Sequence, residues 1–505
     1  MTGCKICCSG TMYTDLYYKL ICYPYGHGVP YMYTYKFDIN GPGILLQDTV
    51  FITGVGKLII RVTDMYGNTD SKIIECKSQP KVERSIKRIT YTDWAQLKTE
   101  IENSNTYTHI IIDADEISVD DTSIIIPEGV LVDFNGKQIE WIPLVTSYTA
   151  AFIIRNDYSG LCNGKFTGNG LKNEDYWGGC CFVSIINGNF TTLKDLWFDS
   201  MPGFNITVGS YPSMWVQKPD YKAGVWRADN PAMPGYISDD GMISEENGWW
   251  TCTDFITSPT PENELYSVGQ QSLYLPQYSR FYDIAFYNSE QELIEVRRWQ
   301  QFFRTYKLPK NSAFVKMSIY QEQEPKVNNG ADANCYLQML GMLEDWENMP
   351  CPINTIIDNV KSINTSSGIL SVTGLVNDLH ISRLYTPSNG WKWTWCIDFE
   401  DGWNAMCGIC VSDSVLGGVV STHGAQGITY IGCVFGSTVT VRSQCTGCTF
   451  VNTYGSGITA DSARGYIVRN YSNLTSSGTL TARAYLLKEN NVGASDIINM
   501  AKKYN

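Results

Sequence analysis

The stretch Trp391-Lys392-Trp393-Thr394-Trp395-Cys396-Ile397-Asp398-Phe399-Glu400-Asp401-Gly402-Trp403 brings acids and aromatic rings together in one short segment. If Ile397 and Phe399 face a core, strand alternation puts Asp398 and Glu400 on the opposite face, their Cα atoms ~6.6 Å apart. Carboxylates on that spacing reach separations of ~5–9 Å, which spans both the retaining and the inverting geometry of glycoside hydrolysis. Neighbouring Trp side chains would hold a sugar ring and desolvate one acid, raising its pKa so that it can donate a proton. His423, about one structural repeat further on, is a candidate proton carrier. Trp391, Trp393, Trp395, Asp401 and Trp403 are the expected glycan contacts. The same residues fit a plainer arrangement, with solvated acids on an outer face and tryptophans lining a contact between chains.

Other motifs carry less. Glu174 and Asp175 lie beside Tyr176 and Trp177, but adjacent strand residues point to opposite faces, so only a loop would let these two carboxylates converge. Cys407-x-x-Cys410, Cys445-x-x-Cys448 and Cys4-x-x-Cys7-Cys8 have zinc-like spacing. On a strand, however, positions i and i+3 face apart, which argues against a shared metal. Asp113-Ala114-Asp115-Glu116 offers oxygen ligands suited to Ca²⁺. The chain has no Walker-type or dinucleotide-type glycine loop and no Gly-x-Ser-x-Gly elbow. The expectation is therefore no metal and no cofactor.

Composition narrows the class. The net charge of −13 and the lack of a Lys/Arg run argue against a nucleic-acid partner. Met1–Gly10 has no signal-peptide character, and no apolar run reaches membrane-spanning length, so synthesis in a cytosol without membrane insertion is expected. In that compartment the 17 cysteines read as buried thiols rather than disulfides. The 32 Tyr and 14 Trp suit surfaces that stack on sugars or pack on other chains.

The elements that must position these residues begin near residue 90. Thr92 can cap a short helix whose Trp94, Leu97 and Ile101 share one face. Short strands follow at Ile110–Asp113, at Ile124-Ile125-Ile126 before Pro127-Glu128-Gly129, and at Val130–Gly136. A capping helix ahead of stacked strands suits a solenoid whose first coil must be shielded from water. Coil texture continues through Phe152–Asn156, Leu161–Gly170 and Leu193–Phe198. It breaks near 212, where Trp and Pro become frequent, and returns near Ile353. There, repeated units end at Val360, Leu384, Val415, Phe435, Phe450 and Tyr471. Cys433 and Cys448 each precede a Phe in a Gly-Cys-x-Phe string, which predicts that they stack inside. Roughly ten coils at ~4.8 Å each give a rod of about 50 Å.

The order Thr92–Leu97, Ile-rich strand, Ile126-Pro127-Glu128-Gly129 and Phe134-Asn135-Gly136 resembles the start of pectate-lyase-like right-handed parallel β-helices, common in bacteriophage tailspikes and tail fibres. Lys57–Thr69 is similar to the last hairpin of bacterial immunoglobulin-like domains. Gly235–Ser238, Phe281–Tyr287 and Lys307–Val315 resemble jelly-roll modules, many of which bind carbohydrate. These likenesses imply a mainly β chain in five parts. An immunoglobulin-like β-sandwich (1–82) precedes a first β-helix part (83–211), an inserted jelly-roll β-sandwich (212–345), a second β-helix part (346–480) and a C-terminal cap (481–505). They further imply a phage tail fibre, tailspike or receptor-binding protein located in the virion tail. It would be a homotrimer that recognises bacterial surface polysaccharide and contacts other tail proteins through its N-terminal domain. Two alternatives stand beside that one: a polysaccharide depolymerase, either glycoside hydrolase or lyase, and a purely structural tail or baseplate component.

Overall fold

The computed structural model describes all residues except 1–2, 8–9, 26–34, 65–66, 91–92, 115–116, 118, 120–121, 142–149, 169–180, 210–222, 227–231, 245–248, 258–264, 272–277, 302–304, 308, 322–335, 342–350, 374–375, 388–394, 401–405, 424–425, 438, 443–447, 456–457, 462–464, 468–475, 478–483, 490–494 and 499–505. The chain is mainly β, with large parallel sheets stacked in a β-helix-like manner and one helix among the described residues. It divides into two compact units, one of 1–210, 350–401 and 406–505, the other of 211–349 and 402–405.

In the first unit the coils stack by parallel pairing. Ile110, Val132, Leu161, Leu193, Ile357, Ile381, Val411, Tyr430 and Phe450 are successive partners across neighbouring strands. Each is buried, because parallel stacking repeats one inward position at every rung. A second, 10-stranded parallel sheet runs from Ile124–Ile126 to Ser476–Ser477. Between the sheets lies a stack of phenylalanines, with Phe166 and Phe182 centroids 4.2 Å apart.

The helix Trp94–Glu102 closes the first coils and buries Trp94, Leu97 and Ile101, the face its spacing predicts. Its N-cap is Asp93, whose carboxylate accepts from the Gln96 backbone N–H, rather than Thr92. The stack continues across the long interruption: Thr192–Asp199 pairs with Pro352–Ile363, and Phe204–Val208 with Gly368–Thr373. Cys433 and Cys448 are both fully buried. They do not occupy equivalent places, however, since Val434 pairs with Tyr454 whereas Thr449 pairs with Thr429. The two Gly-Cys-x-Phe strings fall at different points of their coils.

The N-terminal strands form a four-stranded sheet, a three-stranded sheet and a two-stranded sheet around Met12, Leu20, Val50, Ile52, Leu58, Ile60, Val62 and Ile74. These strands lie against the outer face of the coils. Beneath them run Ile356, His380, Cys410, Thr429 and Thr449, successive partners on adjacent strands. Tyr13 packs edge-on to Phe190 at 4.6 Å, and Tyr18 edge-on to His380 at 5.1 Å. The Thr49 and Thr429 hydroxyls are 2.7 Å apart. Lys19, fully buried, pairs with Asp48 at 2.7 Å and donates to the Thr449 hydroxyl at 2.6 Å.

The second unit contains two antiparallel sheets, one of four strands and one of six, plus a small hairpin. Its apolar contacts gather Ile237, Ala285 and Tyr287 with Phe255, Leu293, Val296 and Phe314.

His380 sits in the seam with neither ring nitrogen hydrogen-bonded in good geometry. Burial pushes its pKa down from 6.5 to about 4, with only the Tyr17 backbone favouring the charged ring. Between those values the unfolded chain binds a proton that the folded chain refuses, so stability falls as pH drops from about 6.5 to about 4. The limit is about 3 kcal/mol for this one group. Urea unfolding at pH 7 and pH 4 is expected to show a smaller loss in His380→Gln than in the parent chain; equal losses would refute this role for the imidazole.

Candidate functional site

Trp395–Glu400 is a strand of the 10-stranded parallel sheet, between Gly368–Thr373 and Val419–His423. Ile397 and Phe399 are fully buried in the core, which turns Asp398 to the opposite face. Asp398 pairs in register with Ser371 on one side and Ser421 on the other. Glu400 pairs with His423. The backbone thus brings the two acids onto one strand and sets His423 beside Glu400 one coil later. Asp398 nevertheless keeps only 3% of its surface exposed, and Trp395 is half-buried. Further along the same row, the Thr207 hydroxyl donates to Ser184 at 3.1 Å, so the acid extends a line of hydroxyl groups. Trp391, Trp393, Asp401 and Trp403 lie outside the described residues, as do the side chains of Glu400 and His423. So does the Glu174–Trp177 segment.

An open groove of about 390 Å³ lies elsewhere on the first unit, lined chiefly by Asn135, Asn163, Lys165, Asp195, Trp197 and Lys361. Its shape comes from a corner in each coil. Gly160–Thr167 pairs first with Leu131–Asp133 and then with Gln138–Glu140, and it bends between them at Asn163, whose φ is +55°. Asp195 and Asn359 make the same left-handed bend with φ of +56° and +52°, a conformation that Asn and Asp tolerate better than most residues. Their side chains tie successive rungs together. Asn163 Nδ2 donates to Asp133 at 3.1 Å, Asn135 Nδ2 to Asp113 at 3.0 Å, and Asn359 Nδ2 to Asp195.

Past the corner, Lys165, Trp197 and Lys361 are consecutive partners on three strands. Leu196 and Phe198 point into the core, so Trp197 points out, and it is 43% exposed. The Lys165 ammonium lies 5.9 Å from the centre of its ring. An exposed indole bordered by amides, a carboxylate and two ammonium groups offers a stacking platform together with donors and acceptors for hydroxyl groups. Sequence reading passed over Trp197, although its place between two core residues was the available signal.

The metal-like strings show no assembled site among the described residues. Cys410 and Cys448 are buried, while Cys445 and the side chain of Cys407 lie outside the described residues. Burial pushes the Cys396 and Cys433 thiols up to about 12, so they stay protonated at neutral pH. Asp113 is engaged by Arg88 at 2.7 Å and by Asn135, and Asp115 and Glu116 lie outside the described residues. Compared with known protein families, curated proteins and solved structures, the chain matches none.

The corner residue carries both backbone and ladder duties. Asn163→Ala is expected to lower stability by about 1–3 kcal/mol through the left-handed backbone and the lost contact to Asp133, and Asn163→Gly by less. Chemical denaturation of the two variants checks the order; equal losses would mean that the bend contributes nothing.

Proposed function

We propose that this chain is a phage-type tail fibre, tailspike or receptor-binding protein that recognises bacterial surface glycan. In this reading the coils are a right-handed parallel β-helix of the pectate-lyase-like kind. The N-terminal sandwich is immunoglobulin-like, the inserted unit is a jelly-roll, and the assembly is a homotrimer in the virion tail. The observation that carries the glycan reading is Trp197, 43% exposed between Lys165 and Lys361 over an open groove. Aromatic faces bind the apolar side of a sugar ring, while polar neighbours fix its orientation.

The test is binding of the purified full-length chain to an array of bacterial capsular and O-antigen polysaccharides, with calorimetry on any hit. Trp197→Ala is expected to weaken binding about tenfold, or ~1.4 kcal/mol, with little change in melting temperature because the ring is partly solvated. An array without hits would favour the structural tail component. Binding untouched by Trp197→Ala would remove the groove from the reading.

A second reading, polysaccharide depolymerase, draws on the register that sets Glu400 beside His423 and Asp398 on the same strand. The low exposure of Asp398 weighs against it in the form described. Here Glu400→Gln is expected to abolish release of reducing ends from a bound polysaccharide while affinity persists. Unchanged release would eliminate this set of residues.

A further inference from the structure

The outer face of the first coils holds a cluster that no motif announces. His109, Asp133 and Cys162 come from three consecutive strands, Thr108–Ile112, Leu131–Asp133 and Gly160–Thr167. Asp133 and Cys162 are direct partners in register. His109 sits on the previous strand opposite Leu131, two residues before Asp133, and its imidazole reaches diagonally across to the next strand so that Nε2 lies 3.2 Å from Asp133 Oδ2. One nitrogen, one sulfur and one carboxylate oxygen of the three residues all lie within 4.8 Å of one another.

We propose that His109, Asp133 and Cys162 bind a single Zn²⁺ ion. Zn²⁺ accepts this mixture of nitrogen, oxygen and sulfur, whereas Ca²⁺ and Mg²⁺ take oxygen ligands and would leave the thiolate unused. Tetrahedral bonds of ~2.0 Å to nitrogen and oxygen and ~2.3 Å to sulfur put the nitrogen and oxygen about 3.3 Å apart and the sulfur about 3.6 Å from each. The His–Asp separation of 3.2 Å is close to that value, and the thiol, within 4.8 Å of both atoms, closes in to the third corner on binding.

Outer contacts hold the carboxylate in place. The Asn135 backbone N–H donates to Asp133 Oδ1 at 2.7 Å and Asn163 Nδ2 to the same atom at 3.1 Å. Oδ2 is thereby directed to the ion, the arrangement that tunes metal sites elsewhere. The His109 side chain keeps 30% exposure, which gives the ion an entry path and leaves a fourth position for water.

Charge balance also fits. Burial, then the nearby Asp133 and Asp195, push the Cys162 thiol up to about 12, so the metal-free site carries a neutral thiol. On binding, the thiol loses its proton to solvent, the Zn–S bond forms, and one thiolate and one carboxylate neutralise the dication. The ion would clip three rungs together. This proposal stands independently of the glycan reading.

The test uses the full-length chain, stripped with chelator and titrated with ZnCl₂ and, separately, CoCl₂. The parent chain is expected to bind one equivalent more than Cys162→Ser, to release a proton in weak buffer, and to show thiolate-to-Co²⁺ charge-transfer absorption that Cys162→Ser lacks. Cys410→Ser, which alters a buried thiol outside the cluster, is expected to keep that absorption. Asp133→Asn preserves an oxygen for Asn135 and Asn163 while removing the charge, and it should weaken Zn²⁺ binding at least tenfold. It serves as the readout if Cys162→Ser fails to fold. Equal stoichiometry and unchanged cobalt spectra in the parent and the variants would overturn the proposal, as would a parent chain that binds no ion.

Discussion

Parallel pairing between successive rungs is the constraint on which the rest of the first unit depends. It repeats every side-chain position at ~4.8 Å along the stack, so a residue's meaning is set by its column. Inward columns become the core, as in Ile110 through Phe450. The corner column carries Asn163, Asp195 and Asn359 with left-handed backbone. One outward column runs Lys165, Trp197, Lys361 and Tyr385 and borders the groove; another runs Ile356, His380, Cys410, Thr429 and Thr449 and meets the N-terminal strands. Site, corner and seam are three readings of one repeat.

Much of this was legible locally. The helical spacing of Trp94, Leu97 and Ile101 and the alternation of Ile397, Asp398 and Phe399 were readable because each depends on a few adjacent residues. After the long interruption the stack resumes at Pro352. What failed needed partners far away in sequence. Cys433 and Cys448 share a Gly-Cys-x-Phe string, but the string falls at different points of the two coils, which only the register reveals. The burial of Asp398 was not readable either, because alternation assigns a face and says nothing of what covers it. His109, Asp133 and Cys162 lie on separate rungs, and only the register brings them together.

The seam between the N-terminal strands and the coils shows a problem peculiar to repeating surfaces. An outward face that recurs at every rung offers nearly the same apolar contact after a slide of one repeat, so apolar burial alone would leave the docking position degenerate. The polar groups in this seam are repeated in part, because Thr429 and Thr449 are neighbours in one column. Thr49 meets Thr429, while Lys19 and Asp48 close on Thr449. Lys19 and Asp48 lie on the same side of the seam and stay paired through a slide, and a shift of one rung toward Thr429 meets a hydroxyl again. Burying an ion pair adds little stability in itself, since desolvation offsets most of the attraction, and burial indeed pulls the Lys19 pKa down despite Asp48. Registry comes instead from contacts that occur once, Tyr18 on His380 and Tyr13 on Phe190, because the column neighbours of His380 are Ile356 and Cys410 and offer no ring.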